Sequence, residues 1–400
     1  MTKQDIIKTA FRVWGRELYQ STSLTKLAQE LGVSKPALYR HFENKQALVD
    51  AMYETFFDEY AAFIKPQYEQ ALASGEVTES LFIMVRTISD YYARNMDAFI
   101  FSLIQVYGHR EKGNAVERLI PRGVDMRRLL RFEEAIKTYP SMIQLIIATL
   151  IFLMAHFHKH EHAMDEDLSE ERIRYIIALI EARVAAGLGF NKDMVKTIDY
   201  EGLENRIAGS LKELADDGLL RAVACVVAEA GPWNASMDMV ARRSGLSKSG
   251  LYAHFKSKQD MLAQLFLSEF DRIVAFAEAN KKNSPVPEEQ LYLVIISIAD
   301  YLRSRPDILV ALDWIRTRRL DLGLAVPLRI YRVISDISCM EGSTGDAPDM
   351  ALERIPQWIM FLIVNTLIHR PAGMAFSELP NPSIRILFKF IVLGIKGCTL

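Results

Sequence analysis

Residues 27–48 read LAQELGVSKPALYRHFENKQAL, and residues 240–261 read VARRSGLSKSGLYAHFKSKQDM, the same pattern displaced by 213 positions without a gap. Ten of the 22 aligned positions are identical: Ala28/Ala241, Gly32/Gly245, Ser34/Ser247, Lys35/Lys248, Leu38/Leu251, Tyr39/Tyr252, His41/His254, Phe42/Phe255, Lys45/Lys258 and Gln46/Gln259. An internal repeat of this density decides the architecture before any other signal is read. The echo continues downstream in the same order. Ile88-Ser-Asp-Tyr91 then Asp97 answers to Ile298-Ala-Asp-Tyr301 then Asp307. Tyr139-Pro-Ser-Met-Ile143 answers to Ile355-Pro-Gln-Trp-Ile359, and Ile173-Arg174 to Ile384-Arg385. The chain reads as a duplicated unit of about 190 residues, a size within the usual range of one or two cores.

Neither copy shows the two-residue alternation bounded by turns that marks strands, so the predicted fold class is all-α. The expectation is a tandem duplication of an N-terminal three-helix helix-turn-helix head and a larger helical ligand-binding and dimerisation domain. The expected boundaries are 1–46 (first head), 47–190 (first helical body), 191–216 (linker), 217–259 (second head) and 260–400 (second helical body). In the join, Leu203, Ile207, Leu211 and Leu214 fall at helical spacing and predict a short amphipathic helix. Gly218 either ends that helix or opens the next. Half helical and half extended, such a join would reach on the order of 60 Å.

Within the first copy, Ser23 stands before Leu24, Leu27 and Leu31 and is expected to cap a short helix that Gly32 ends. Ser34 is then expected to cap a second helix with Pro36 in its first turn, where the missing N–H is harmless. Leu38 and Phe42 form the predicted inner face. Lys35, Ala37, Tyr39, Arg40 and His41 form the predicted outer face. The second copy keeps the logic, with Ser236 and Ser247 as caps, Gly245 in the turn, Leu251 and Phe255 inside, and Lys248, Ser249, Gly250, Tyr252 and His254 outside. Two short helices joined by a tight glycine turn make a helix-turn-helix.

Charge has to be read locally. The whole chain carries 48 Lys and Arg against 50 Asp and Glu, a formal net charge of −2, so it has no global field to draw it to a polyanion. Between Ala235 and Lys258, however, Arg242, Arg243, Lys248, Lys256 and Lys258 stand against Asp238 alone, a balance of +4. Between Ser21 and Gln46, Lys26, Lys35, Arg40 and Lys45 stand against Glu30 and Glu43, a balance of +2.

Both copies carry the run S-K-x-x-L-Y-x-H-F-x-x-K, and with it each resembles the TetR (tetracycline-repressor) family of transcription regulators. The resemblance is dense in the heads and only architectural in the remainder. It implies that Lys35–His41 and Lys248–His254 lie in the major groove of double-stranded operator DNA. Tyr39, His41 and Lys45, with Tyr252, His254 and Lys258, would meet phosphates, which fix register and carry little sequence information. Pro36, Ala37 and Arg40 in one head, and Ser249, Gly250 and Ala253 in the other, would discriminate bases, so the heads are expected to prefer unlike half-sites. Ser23, Thr25 and Ser236 at the start of each first helix, together with Lys35 and Lys248, complete the expected DNA-contacting set. The resemblance further implies an unidentified small-molecule effector, a repressor in preference to an activator, and pairing through the last two helices of each copy. Those helices are Pro140–His158 with Glu170–Ala186, and Ile355–Arg370 with Pro382–Gly397. They would pair within the chain as a pseudo-dimer or with a second chain as a homodimer.

Other classes find little support. No glycine loop after a strand, G-x-S-x-G or H-E-x-x-H motif, or Cys–His arrangement points to an enzyme; the run Ala186-Gly-Leu-Gly-Phe190 follows a helix. The remaining rival is a ligand-binding or interaction protein in which one or both heads have ceded DNA binding. Cys225, Cys339 and Cys398 suggest neither a disulfide framework nor a zinc knuckle. His156, His158, His160 and His162 offer an i, i+4 pair, but read better as a helix end leaving the core, so no metal and no cofactor is expected. The apolar runs Met142–Phe157 and Ser383–Leu400 are too short or too charged to span a bilayer of about 20 apolar residues. No membrane partner and a cytoplasmic location are expected. Tyr91, Tyr92, Tyr107 and Trp314 are read as core and not as pocket lining.

Overall fold

A computed structural model describes residues 1–16, 19, 23–106, 115–129, 140–164, 169–207, 218–318, 332–337, 354–371 and 373–395. Tyr107, Leu211, Leu214, Cys339 and Cys398 lie outside these residues, as do the side chains of His160, His162 and Trp314. Among the described residues every regular element is a helix and none is a strand. The first copy holds α1 (Lys3–Arg16), α2 (Leu24–Glu30), α3 (Lys35–Tyr39), α4 (Lys45–Ser74), α5 (Val77–Arg94), α6 (Met96–Phe101), α7 (Ala115–Leu119), α8 (Met142–Met164) and α9 (Glu170–Ala186). The join holds α10 (Lys192–Lys196) and α11 (Tyr200–Ile207). The second copy holds α12 (Gly218–Asn234), α13 (Met237–Ser244), α14 (Lys248–His254), α15 (Lys258–Lys281), α16 (Pro287–Ser304), α17 (Pro306–Arg318), α18 (Ile355–Ile368) and α19 (Asn381–Leu393). Gly218 opens α12.

The helices gather into two compact units, one of residues 1–137 and 153–181, the other of residues 138–152 and 182–400. In the first unit, α4 begins at Asn44, whose side chain accepts from Ala47 N, and ends at the left-handed Gly75. Its inner face meets α5 and α6 in an aromatic core. Phe11, Tyr53 and Phe56 ring Phe101 at centroid distances of 4.9, 5.0 and 5.4 Å, and Tyr60 lies 5.0 Å from Tyr91 and 5.6 Å from Tyr92. Tyr91 and Tyr92 are buried, as expected of core residues. His158 is also buried and donates from Nε2 to the carbonyl oxygen of Tyr92 at 2.7 Å. Nε2 is thus the protonated ring nitrogen and is not itself a ligating atom.

The second unit solves the same packing position differently. Carrying the 213-residue offset into the long helix places Glu269 of α15 where α4 has Phe56. Glu269 is 1% exposed and accepts from the Tyr301 hydroxyl at 2.6 Å and from Arg305 at 3.2 Å, with Arg272 at 3.5 Å. A carboxylate removed from water needs such compensation. Burial and this acid hold the Tyr301 hydroxyl above its ordinary range.

Helix α11, from the segment expected to link the copies, belongs to the second unit. Its Glu204 accepts from Arg385 Nε at 2.7 Å, from Arg385 Nη2 at 2.8 Å and from Asn381 Nδ2 at 3.0 Å, and it also accepts from the Tyr292 hydroxyl. The bidentate guanidinium and the two further donors outweigh partial burial and keep the Glu204 carboxyl below its usual range. Arg206 adds a bond to the carbonyl of Asn283 at 2.9 Å. This part of the join is a docked element and not a tether, because one acid on an amphipathic helix meets four donors on α16 and α19.

The last helices of the two copies meet inside that unit. Trp358 of α18 donates from Nε1 to Thr149 Oγ1 of α8 at 3.2 Å, and Phe152 and Phe361 have centroids 5.5 Å apart. Beyond α9, Leu188 N donates to Ile391 O at 2.8 Å and Phe190 N to Val392 O at 3.0 Å. The weak glycine run at 186–190 therefore spends two amides on α19 and its two glycine amides on Arg183 O and Ala186 O of α9, and offers no phosphate cradle. Gly187 (φ 57°) and Gly394 (φ 63°) allow this approach: a Cβ on Gly187 would fall on the carbonyl of Ile391, and one on Gly394 would stand 2.6 Å from Val184 O. One described helix, over Met142–Lys159, is long and apolar enough to cross a membrane, and 61% of that window is buried in the protein.

Thr149→Val keeps the shape of the contact but leaves the buried indole N–H of Trp358 without its acceptor. We expect a loss of about 1–3 kcal/mol in denaturant unfolding, and a smaller loss for the same substitution made in a Trp358→Phe background, where no indole N–H is left unpaired.

Candidate nucleic-acid interface

Each head is a three-helix cluster, α1–α3 and α12–α14. In the first, Ile6, Trp14, Leu27, Ala28, Leu38 and Phe42 are buried; in the second, Val240, Ala241, Leu251 and Phe255 are buried. The caps predicted for the first helix of each helix-turn-helix are in place. Ser23 Oγ accepts from Lys26 N and Ser236 Oγ from Met239 N, both at 3.3 Å. Each hydroxyl keeps its own proton free to donate outward. The turns run through Gly32 (φ 65°) and Gly245 (φ 72°), a left-handed conformation that a side chain would strain.

The second helix of each head shows where local reading succeeds and where it fails. Ser247 caps α14 by accepting from Gly250 N at 3.0 Å. Ser34 occupies the cap position of α3, but its side chain makes no cap hydrogen bond. Ala37, expected on the outer face, is buried at 7% exposure. In so short a helix the inner stripe is 37, 38, 41 and 42, one residue wider than the Leu38–Phe42 pair; the aligned Gly250 is likewise half-buried and His41 partly so. The outward faces are Thr25, Lys35, Pro36, Tyr39, Arg40 and Lys45 in the first head, and Lys248, Ser249, Tyr252, Ala253 and His254 in the second. Tyr39 and Tyr252 are 45% and 48% exposed, large rings with no core to fill. Lys258 is half-buried, and desolvation lowers its ammonium pKa.

Electrostatics separate the heads. Lys35, Arg40 and Lys45 make no ion pair among the described residues. In the second head Lys248 Nζ stands 3.0 Å from Asp238 Oδ1, and Arg243 stands 2.6 Å from Glu229. The Asp238 contact holds the Lys248 ammonium above its ordinary pKa. Charge summation over the segment missed this pairing, because the partners lie ten residues apart on different helices.

Residues 6–52 and again 219–265 match the family described as bacterial regulatory proteins, tetR family. The chain carries two tetR-family heads in tandem. Among curated relatives, it is 39% identical over 54 residues to the tetracycline repressor protein class C of Escherichia coli, covering 14% of this chain and 25% of that one. It is 30% identical over 70 residues to the fatty acid metabolism regulator protein of Bacillus subtilis (strain 168), covering 18% and 36%. The chain thus matches about a quarter and about a third of the length of these relatives. The solved structure of the fatty acid degradation regulator FadR from Bacillus halodurans aligns with 17% identity and a TM-score of 0.36, over 43% of this chain and 93% of that one.

The unequal caps make a local prediction. Ser247→Ala should cost the second head about 1 kcal/mol, seen as faster amide exchange in Lys248–His254. Ser34→Ala should change exchange in Lys35–Tyr39 much less.

Proposed function

We propose that this chain is a sequence-specific, DNA-binding transcription regulator, a ligand-responsive repressor in which two tetR-family units act together as a covalent pseudo-dimer. The carrying observation is the outward face of the two reading helices: in both copies a lysine at the first position and an exposed tyrosine four residues on, over an inward Leu and Phe. Such a face suits phosphates flanking a major groove, with Lys and Tyr positioning the helix and its remaining residues meeting base edges. Pro36 and Arg40 against Ser249 and Ala253 would give the heads different base preferences; Ala37 and Gly250, lying inward, are poorer candidates. Ser23, Thr25, Lys45 and His41 in the first head, and Ser236, His254 and Lys258 in the second, flank those faces.

Support for the pseudo-dimer comes from the second unit, where α8 meets α18 and the end of α9 meets α19. Pairing the equivalent helices of two copies within one chain satisfies the surface that separate subunits would otherwise share. The domain limits 1–46, 47–190, 191–216, 217–259 and 260–400 remain those of the repeat. An effector entering a helical body would act by favouring one spacing of the heads over another. The protein is assigned to the cytoplasm, with its operator.

Two measurements test this reading. Static light scattering should give the mass of a single 45.5 kDa chain; a stable dimer would overturn the pseudo-dimer. In mobility shifts against a selected operator, binding should weaken steeply with salt, and Lys35→Ala should lower both affinity and salt slope, the slope by about one. Binding indifferent to salt and to Lys35→Ala would leave the interaction-protein alternative.

A further inference from the structure

The two heads are built on one pattern, so positions that differ between them are informative. At the second residue of the first helix of the helix-turn-helix, the first head has Thr25 and the second has Asp238, 213 positions on. Both are exposed, and both follow a capping serine, Ser23 or Ser236, by two residues. Thr25 carries no charge. Asp238 places a carboxylate at the edge of the reading face, and that carboxylate holds Lys248, the first residue of the reading helix: Oδ1 is 3.0 Å and Oδ2 3.2 Å from Nζ.

We propose that Asp238 is an electrostatic lock on the second head: its carboxylate takes the place of a DNA phosphate against Lys248, and binding requires that ion pair to exchange for a phosphate. This rests on the DNA-binding reading above and adds to it a regulation that only one head possesses. When Lys248 leaves Asp238 for a phosphate, the counterion released from the DNA is offset by the cation that the freed carboxylate takes up, so the paired lysine adds little to the salt-dependent part of the affinity. The carboxylate also repels the phosphate that would replace it. Both partners are more than half exposed, at side-chain exposures of 58% and 56%, and an ion pair so placed is weak and reversible. The lock therefore delays the second head without disabling it. The first head, with Thr25 and a Lys35 that makes no ion pair among the described residues, engages DNA first. The second follows when the first holds it near enough for a phosphate to displace Asp238, since tethering raises its effective concentration.

The test uses the full chain with the first head silenced by Lys35→Ala and Arg40→Ala, so that the second head is read alone. Fluorescence anisotropy against a random-sequence 24-base-pair duplex is followed from about 50 to 300 mM KCl, a range in which phosphate contacts dominate binding. In that background Asp238→Thr, the residue of the first head, should tighten binding about threefold or more and steepen the salt slope by about one. Asp238→Asn, which keeps the shape of the side chain, should do the same, and adding Lys248→Ala should remove most of the gain. Placed in the otherwise unaltered chain, Thr25→Asp should weaken binding. Helix content by circular dichroism, unchanged across the set, separates these effects from loss of the head.

Affinity and slope that do not move in Asp238→Thr and Asp238→Asn, while the unaltered chain binds DNA in a salt-sensitive way, would overturn the lock and leave the DNA-binding reading standing. A gain undiminished by Lys248→Ala would also overturn it, assigning the effect to repulsion alone. No salt-sensitive binding by the unaltered chain or any variant would bring down both.

Discussion

The close approach of two backbones, at Gly187 and Gly394, is the constraint on which the second unit turns. The segment that ends the first copy's last helix donates two main-chain hydrogen bonds to the end of the second copy's last helix, Leu188 N to Ile391 O and Phe190 N to Val392 O. Neither side chain nor water can be interposed, because a Cβ at either glycine would strike a main-chain atom. Main-chain contact fixes the register of the two segments more tightly than apolar packing would, since each N–H must find its own carbonyl. The Thr149–Trp358 bond and the Phe152–Phe361 contact are the side-chain counterpart of the same junction. Residues far apart in sequence, 138–152 and 182–400, therefore form one compact unit, and the contact division of the chain does not follow the repeat division.

How much of this was legible in the sequence follows from the range of each interaction. The heads are legible because their signals are local: a serine three residues before the amide it caps, a glycine in a left-handed turn, a leucine and a phenylalanine four residues apart. These hold for Ser23, Ser236, Ser247, Gly32, Gly245, Leu38, Phe42, Leu251 and Phe255. Where the local reading slipped, the error was one of width. A face drawn from two large residues puts Ala37 outside, whereas a five-residue helix against its neighbours buries the adjacent small residue as well. Ser34 sits in a cap position, yet with Pro36 in the first turn its helix closes without the side-chain bond.

Pairs at long separation leave no such mark. Nothing in the spacing of Glu204 indicates that Arg385, Asn381 and Tyr292 converge on it, and so the sequence alone makes a docked helix look like part of a spacer. The exchange of Phe56 for Glu269 is visible in the aligned copies, but its meaning is not. A charged residue in the register of a core aromatic reads as a surface position until Tyr301 and Arg305 are seen to close over it. Each copy thus keeps the outline of the repeat while rebuilding the side-chain chemistry within it, the first around stacked rings and the second around a buried acid.

The same distinction governs the charge of the heads. Counting residues makes the second head the more basic, +4 against +2, and by count it should be the stronger partner for a polyanion. Geometry removes that lead, because a cation meets a phosphate only when it is not already met by a carboxylate. Of the five cations in the second head, Lys248 is held by Asp238 and Arg243 by Glu229, whereas Lys35, Arg40 and Lys45 of the first head stand free among the described residues. Such exposed pairs are individually weak, so their effect is not to neutralise the head permanently. They set an order: the face whose cations are free engages at low cost, and the face whose cations are paired engages once proximity offers a phosphate in exchange. Duplication within one chain makes that order possible, since two heads under one sequence can diverge at a single position such as Thr25 and Asp238, while two heads from identical subunits cannot.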